Sequence, residues 1–486
     1  MSGGTVRISF DRLAAPLVQT PQGTALGIGG FVHHWSERLA GLRLYLIQGE
    51  HRVEAGRVFL QTDLLGPFQA AAGDRLDGGF YASAVFPADP GLHGGPVRIE
   101  ATLVWRSGGE AILTVGSVDL IRIDPLPDPA GIAGRSVGIA MATYNPDSEL
   151  FAGQIASIRA QTHADWICVI SDDGSAASCR QMIEATIAGD PRFRLLPPGP
   201  NLGFYRNFER ACAALPSGCA FVAFSDQDDQ WLPDRLSRQL DVIAQLPFGC
   251  CYSDLEIASR DGETLSGTFW INRKARYGSL AGLLLANVVT GMTILARRDL
   301  IARALPFPAT PNLTYHDHWI ALVAERHRGL RYLGQPLVRY IQHGANHTGA
   351  LGRWPGVAFI TRQALRRIDR FYRVGLRGRK PREALRESSI HHWLVLEPTR
   401  LRVLADRLQA APGLKPARNR AVSRLCRGFG PVAFAASGAD WGDHYRRAYA
   451  IELGLGAFLG SCVRLLARRG WINGDTPGLP DPLRNA

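Results

Sequence analysis

The stretch Cys219-Ala-Phe-Val-Ala-Phe-Ser-Asp-Gln-Asp-Asp229 sets an apolar run directly before three carboxylates in four positions. The run Cys219–Phe224 predicts a buried strand, and Pro233 beyond it suits the first turn of a helix. The same pattern recurs upstream. Val137–Ala142 is an apolar run that ends in Thr143-Tyr-Asn-Pro, with helical spacing from about Ser148 to Gln161. Trp166–Ile170 ends at Ser171-Asp-Asp-Gly-Ser, with helix-compatible residues near Arg180–Ile187. Strand and helix in alternation predict an α/β domain with a largely parallel sheet. Every polar cluster falls at the carboxyl end of an apolar run, the edge where open α/β sheets bind ligands.

Outward from this region the pattern changes on both sides. Residues 1–130 read as short strands at Leu42–Ile47, Arg57–Thr62, Gly79–Phe86, Val97–Trp105 and Ala111–Ile123, separated by Gly, Pro and Asp. In Val97–Trp105 the odd-numbered residues are apolar while Arg98, Glu100 and Thr102 share the other face, as in a half-buried antiparallel strand. The expectation is an all-β, sandwich-like domain. His33, His34 and Trp35 read either as a carbohydrate-binding face or as buried and capping side chains. The segment Asp124-Pro-Leu-Pro-Asp-Pro-Ala130 predicts an extended, poorly packed linker. The α/β domain is expected over 134–350, and a helical, basic region over 351–486.

The chain has 486 residues and a formal net charge of +12. Residues 353–470 hold 24 Lys and Arg against eight Asp and Glu, so the positive potential belongs to that region and the rest is net acidic. Arg362, Arg366, Arg367, Arg370 and Arg373 recur at helical spacing, which fits a solvated helix face or an amphipathic surface docking on anionic lipid. No nucleic-acid reading module accompanies the charge. The eight cysteines show no metal-binding or disulfide spacing. With no signal-like N-terminus and no bilayer-length apolar run, a cytoplasmic setting is expected, with peripheral contact at the inner face of the membrane.

Asp226, Asp228 and Asp229 repel one another at close range, which a cation relieves. Their hard oxygens suit Mg or Mn, typically held by one or two carboxylates together with a substrate's phosphates. The same residues also fit an exposed acidic turn capping the helix at Pro233. Asp172 and Asp173, followed by Gly174 and Ser175, fit either ribose or base recognition or an ordinary turn.

In order along the chain, six stations resemble family-2 inverting glycosyltransferases of GT-A fold. They are Val137-Gly-Ile-Ala-Met-Ala-Thr-Tyr-Asn145, Ser171-Asp-Asp-Gly-Ser175, Asn201-Leu-Gly-Phe-Tyr-Arg-Asn207, Phe224-Ser-Asp-Gln-Asp-Asp-Gln-Trp231, Thr290-Gly-Met292 and Tyr315-His-Asp-His-Trp319. The wording of the fourth, with Tyr340-Ile-Gln-His-Gly-Ala-Asn346, is most similar to bacterial rhamnosyltransferases of surface-polysaccharide pathways. The resemblance covers roughly 135–350. It implies that Thr143, Tyr144, Asn145, Asp172 and Asp173 hold the donor's nucleoside, that Arg206 and Asn207 lie near its base or diphosphate, and that Asp226 faces the ribose. It also implies Asp228 as principal metal ligand and Asp317 as catalytic base, while His343 reads either as a metal or diphosphate contact, as in some relatives, or as an ordinary loop histidine. Asp229, Trp231, Thr290, Gly291, His316 and His318 are expected on the acceptor side or in support. An aspartate near its ordinary pKa of about 4 would be ionised at neutral pH.

The function expected is inverting, metal-dependent transfer of a deoxyhexose such as rhamnose from a dTDP- or UDP-linked nucleotide sugar to a glycan or polyprenyl-diphosphate-linked acceptor. A processive synthase is disfavoured, because neither a Gln-x-x-Arg-Trp motif nor transmembrane segments are present. Two other classes remain open. One is a sugar nucleotidyltransferase, which would release pyrophosphate; the other is a carbohydrate-binding protein with a degenerate catalytic domain.

Overall fold

The computed structural model describes residues 7–10, 16–33, 39–64, 79–129, 134–246, 249–270, 280–285, 287–311, 314–343 and 396–410. His34, Trp35, Arg362, Arg366, Arg367, Arg370, Arg373 and most of the basic C-terminal segment lie outside the described residues.

From Arg7 to Arg122 the described elements are nine strands: β1 (Arg7–Phe10), β2 (Leu17–Thr20), β3 (Gly23–His33), β4 (Leu39–Gln48), β5 (His51–Glu54), β6 (Arg57–Leu64), β7 (Gly79–Phe86), β8 (Gly95–Trp105) and β9 (Glu110–Arg122). They hydrogen-bond into one sheet, in the order β5-β4-β8-β9-β2-β3-β7-β6, with β1 on β3. The sheet is continuous and curls around one core, so that β4, near one end of the order, lies against β6 at the other. The alternation in β8 has its expected consequence: Val97, Ile99, Ala101, Leu103 and Trp105 are buried in a core with Leu44, Leu46, Phe80 and Phe86. Thr102, on the opposite face, is buried too.

The linker is without regular structure and largely exposed, and it is tethered at two points. Leu126 N–H donates to Ala214 O at 2.9 Å, and Asp128 accepts from Gly218 N–H at 2.7 Å and from the Ser217 hydroxyl at 3.2 Å. Proline removes donors and fixes φ, but the intervening Leu126 and Asp128 still supply groups that bind the neighbouring α/β unit.

That unit is built on β10 (Val137–Thr143), β11 (Trp166–Asp172), β12 (Phe193–Leu195), β13 (Phe221–Ser225), β14 (Gln230–Trp231), β15 (Cys250–Ser259), β16 (Thr264–Ser266), β17 (Ile294–Arg297) and β18 (Leu330–Gln342). The order is β12-β11-β10-β13-β17-β15-β18-β14. The first four strands are parallel; β17 then runs antiparallel to both neighbours, so the sheet is mixed. Helices α1 (Ser148–Arg159), α2 (Ala177–Ile187) and α4 (Arg235–Ile243) cover one face through Phe151, Ile155, Ile183, Leu236 and Leu240. On the other face lie α3 (Phe204–Ala214), α5 (Leu280–Leu285), α6 (Arg298–Ala304), α7 (His316–Arg326) and α8 (Glu397–Ala410). Covered on both faces, the parallel strands have no polar side to present, which is why they read as continuous apolar runs. Asp147 caps α1, accepting from the Glu149 and Leu150 N–H groups. Pro233 precedes α4 instead of lying in its first turn.

A buried charge cluster joins the two sheets. Arg206 donates to Glu209, to Phe307 O at 3.2 Å and to Ala25 O of β3 at 3.4 Å. Glu209 is fully buried and also accepts from Phe307 N–H. Removing its carboxylate leaves the guanidinium without a counter-charge, held only by the Phe307 and Ala25 carbonyls. Glu209→Ala is expected to cost about 3–5 kcal/mol in urea denaturation, and Glu209→Gln less, because one acceptor survives.

Candidate active site

The carboxyl ends of β10, β11 and β13 meet at one edge, bringing Thr143, Asp172 and Asp226 into the same neighbourhood. The first two strand ends are tied by internal hydrogen bonds. Thr143 donates to Asp172 Oδ1 at 3.1 Å, and Asp172 also accepts from the N–H and hydroxyl of Ser175. Asn207 accepts from the Ser171 hydroxyl at 2.6 Å and donates to the carbonyls of Ser171 and Thr143. Asp172 and Asn207 are thus buried in the scaffold that holds these ends together, not free for a ligand as expected. Arg206 is likewise committed to the inter-sheet junction.

What these ties expose is the Tyr144 ring, 52% accessible and the most open aromatic side chain among the exposed large hydrophobics. Asn145 beside it takes a left-handed φ of 41°, which Asn tolerates because its short amide bonds locally. Its N–H donates to Ser175 Oγ at 2.7 Å and its Oδ1 accepts from Ala176 N–H at 2.9 Å. Asp173 accepts from Leu202 N–H at 2.6 Å, and burial raises its carboxyl despite that bond. Gln227 fastens the acidic loop to this ledge: its Oε1 accepts from Tyr144 N–H at 2.8 Å and its Nε2 donates to Tyr144 O at 3.3 Å.

Within the acidic loop the three aspartates have different surroundings. Asp229 is fully buried, facing Ile341 N–H and the Arg235 guanidinium, and burial beside Asp228 and Asp226 pushes its carboxyl far up. Arg235 stacks 3.5 Å over the Trp231 ring, and burial pulls it down to about 9. Asp229 and Trp231 are therefore the root of the loop, with no open acceptor face; the exposed acidic turn is not what forms. Asp226 is partly buried, and desolvation with the charges of Asp228 and Asp317 beside it raises its carboxyl well above the ordinary range. Asp228 and His343 meet, with Nε2 to Oδ2 at 2.9 Å, across 115 positions of sequence.

A carboxylate and an imidazole in contact, both still partly accessible and bordered by a second crowded carboxylate, form a donor set that suits Mg or Mn. Among the described residues no three His, Cys, Asp or Glu side chains group as a complete metal cage. A cation there would take further ligands from phosphate or water.

Asp317 sits in the first turn of α7, where backbone N–H groups point outward. It is buried, accepts from Asn287 Nδ2 at 2.9 Å and from His318 N–H, and faces Gly291 N–H. Burial outweighs these bonds and pushes its carboxyl up to about 7, so it is a stronger base than the ordinary aspartate expected from sequence.

Its histidine neighbours turn inward. His316 packs against Phe208 and Phe224, with ring centroids 3.8 and 5.2 Å away, and burial brings it down to about 3. His318 Nε2 contacts Leu283 O of α5 at 2.7 Å and is pulled down to about 4 by burial. Both are neutral packing groups that fix α7. Thr290 opens the 3-10 turn Gly291–Thr293, its carbonyl bound by the Thr293 N–H and hydroxyl.

Asn287 escaped the sequence reading, and Gln227 and Ser175 stood within the quoted motifs without a role of their own. For Asn287 the available signal was a lone amide in the apolar stretch around Leu283–Val289; for Gln227 it was an amide set between aspartates.

Residues 138–303 match the family described as Glycosyl transferase family 2, and the chain carries a domain of that family. The match lies inside the 134–350 region and stops before Asp317 and His343. Over 163 residues the chain is 28% identical to the UDP-Glc:alpha-D-GlcNAc-diphosphoundecaprenol beta-1,3-glucosyltransferase WfgD of Escherichia coli, covering 33% of this chain and 61% of that protein. Over 219 residues it is 26% identical to the dTDP-rhamnosyl transferase RfbG of Shigella flexneri, covering 43% and 74%. The chain spans less than two thirds of the length of several curated relatives it matches, the E. coli protein among them. Solved structures that it resembles include S. aureus TarS 1-349 in complex with UDP-GlcNAc, with a TM-score of 0.36 and 15% identity over 69% of this chain and 92% of that one. Another is the mannosyltransferase PcManGT from Pyrobaculum calidifontis in complex with GDP-Man and Mn2+, with a TM-score of 0.34 and 18% identity over 70% and 90%.

Gly291 is required by space. A Cβ there would stand 2.5 Å from His316 Nε2, and His316 is fully packed against the Phe208 and Phe224 rings. Gly291→Ala is expected to lower stability by about 1–3 kcal/mol in thermal or denaturant unfolding. A fully stable Gly291→Ala protein would show that the ring can move aside.

Proposed function

We propose that this chain is an inverting glycosyltransferase that moves a sugar from a nucleoside-diphosphate donor to a hydroxyl of a glycan or lipid-linked glycan acceptor. The observation that carries the reading is the placement of Asp317. It is buried, oriented by Asn287 and backbone N–H groups, and close enough to Asp226 at the strand edge for their charges to interact.

In this reading Tyr144 and Asp173 receive the nucleoside and Asp226 lies on the ribose side. Asp228 and His343 would hold a divalent cation, which when bound offsets negative charge on the departing diphosphate. Asp317 accepts the proton of the acceptor hydroxyl as that oxygen bonds to the anomeric carbon. The bond from that carbon to the diphosphate oxygen breaks, and nucleoside diphosphate leaves on the opposite face. Attack and departure on opposite faces give inversion.

The donor proposed is a deoxyhexose such as rhamnose on dTDP, supported by the wording of the acidic motif and by the printed name of the Shigella relative. The E. coli relative's printed acceptor, a diphosphoundecaprenol-linked sugar, supports a polyprenyl-diphosphate-linked acceptor and a role in surface-polysaccharide biosynthesis. No helix among the described residues is long and apolar enough to cross a membrane. The positive charge of residues 353–470 supports peripheral contact with anionic lipid.

Asp317→Asn is expected to slow transfer by roughly 10²–10⁴-fold while donor binding persists, the range typical of losing a general base. Product analysis after incubation with dTDP-rhamnose, an acceptor and Mn2+ decides the class: dTDP and a lengthened acceptor are expected. Pyrophosphate release from a nucleoside triphosphate would instead establish a nucleotidyltransferase. Asp228→Ala is expected to abolish stimulation by Mn2+, read as turnover against metal concentration.

A further inference from the structure

Asn287 is held in a single orientation by its own backbone surroundings. Its Oδ1 accepts from Val289 N–H at 3.0 Å, and its Nδ2 donates to Val289 O at 2.9 Å. Exchanging oxygen and nitrogen would set donor against donor and acceptor against acceptor at both contacts, so the direction of the amide is decided. The remaining Nδ2 hydrogen then points at Asp317 Oδ1, 2.9 Å away. His318 N–H donates to the same oxygen at 2.5 Å.

We infer that Asn287 is a positioning residue for Asp317: its locked amide pins the carboxylate through Oδ1 and leaves lone-pair capacity on Oδ2 for the acceptor's proton. This rests on the transfer reading above. Fixing a base within a narrow range of positions makes attack effectively unimolecular, and a rotamer free to swing would lose that. The amide is also a neutral donor, so it stabilises the ionised carboxylate without neutralising it as a cation would.

The other charged or titratable groups near Asp317 come from several elements. Asp226 faces it from the end of β13, and Tyr315 from just before α7. On α7 itself, His316 and His318 are neutral through burial. Arg400 and Glu397 of α8 act on His318 from the far side. The largest effects opposing the desolvation of Asp317 are its hydrogen bonds from His318 N–H, Asn287 and Gly291 N–H.

Asn287→Asp separates orientation from turn formation. It keeps an oxygen for Val289 N–H but replaces the donor facing Asp317 with a charged acceptor, whereas Asn287→Ala removes the donor without adding charge. With 13C-carboxyl-labelled aspartate, and the Asp317 signal identified by its loss in Asp317→Asn, the titration of Asp317 is followed in the full chain. It is expected to move to higher pH in both variants, by roughly one unit or more in Asn287→Asp and less in Asn287→Ala. An unchanged Asp317 titration in either folded variant would overturn the inference.

Turnover with a nucleotide sugar is the second readout. The acid limb of kcat is expected to move to higher pH by the same amount, since Asp317 must be ionised to act, while donor KM stays within roughly twofold. A kcat loss with an unmoved pH profile, or a donor KM that rises as much as kcat falls, would make Asn287 merely structural. If the carboxyl titration shifts but the wild-type chain releases no nucleoside diphosphate from any nucleotide sugar, the contact stands and the transfer reading fails.

Discussion

The structure depends on bringing carboxylates out of water at one edge of a buried sheet. Asp226, Asp229 and Asp317 are raised by desolvation, Asp226 and Asp229 also by the like charges beside them, and each carboxylate of the cluster has different surroundings. Asp229 has Ile341 N–H and the Arg235 guanidinium, Asp317 has Asn287 and the start of α7, and Asp228 has His343. Asp226 has the least protein compensation, with Asp228 and Asp317 beside it. A group in that state favours a proton, a cation or a polyhydroxyl ligand, which makes this edge a place for chemistry as well as for a turn.

Rigid elements supply the compensating groups. Arg235 is on α4, Asp317 on α7 and His343 at the end of β18, and all three elements are packed into the apolar layers covering the sheet. Neutral buried histidines help. His316 fills the space between α3 and β13, and His318 ties α7 to α5, so the helix that carries Asp317 is braced on two sides. The short turn at Gly291 passes so near His316 that no side chain fits, and its N–H faces the same carboxylate.

The N-terminal sheet is attached to this arrangement and does not stand apart from it. Arg206 spans from Glu209 to the β3 backbone, Val18 and Ile123 join the core around α3, and Arg57 of β6 pairs with Asp406 of α8. The helices that brace the site are thus in contact with both neighbours. Sugar-transfer chemistry needs a water-poor, fixed site, and such bracing favours it.

The amino-acid order alone determined the strands and helices of the α/β unit, because burial on both faces forces long apolar runs and ligand chemistry gathers polar residues at their ends. It also singled out Asp228, His343 and Asp317 as residues worth watching, through a resemblance of ordered motifs. Only the tertiary structure could decide which polar residues of those motifs are free. Asp172, Asn207, Asp229, Trp231, His316 and His318 look like site residues in sequence, yet Asp172, Asn207 and His318 spend their hydrogen bonds on the scaffold, and Asp229, Trp231 and His316 are buried in its packing. Arg206 is drawn away by a buried glutamate three positions along its own helix and by a strand some 180 residues earlier. Asn287 was hidden for the converse reason, since its value comes from a partner 30 positions away. Local pattern reports what a residue can do; the balance between burial and partners, a long-range quantity, decides what it does.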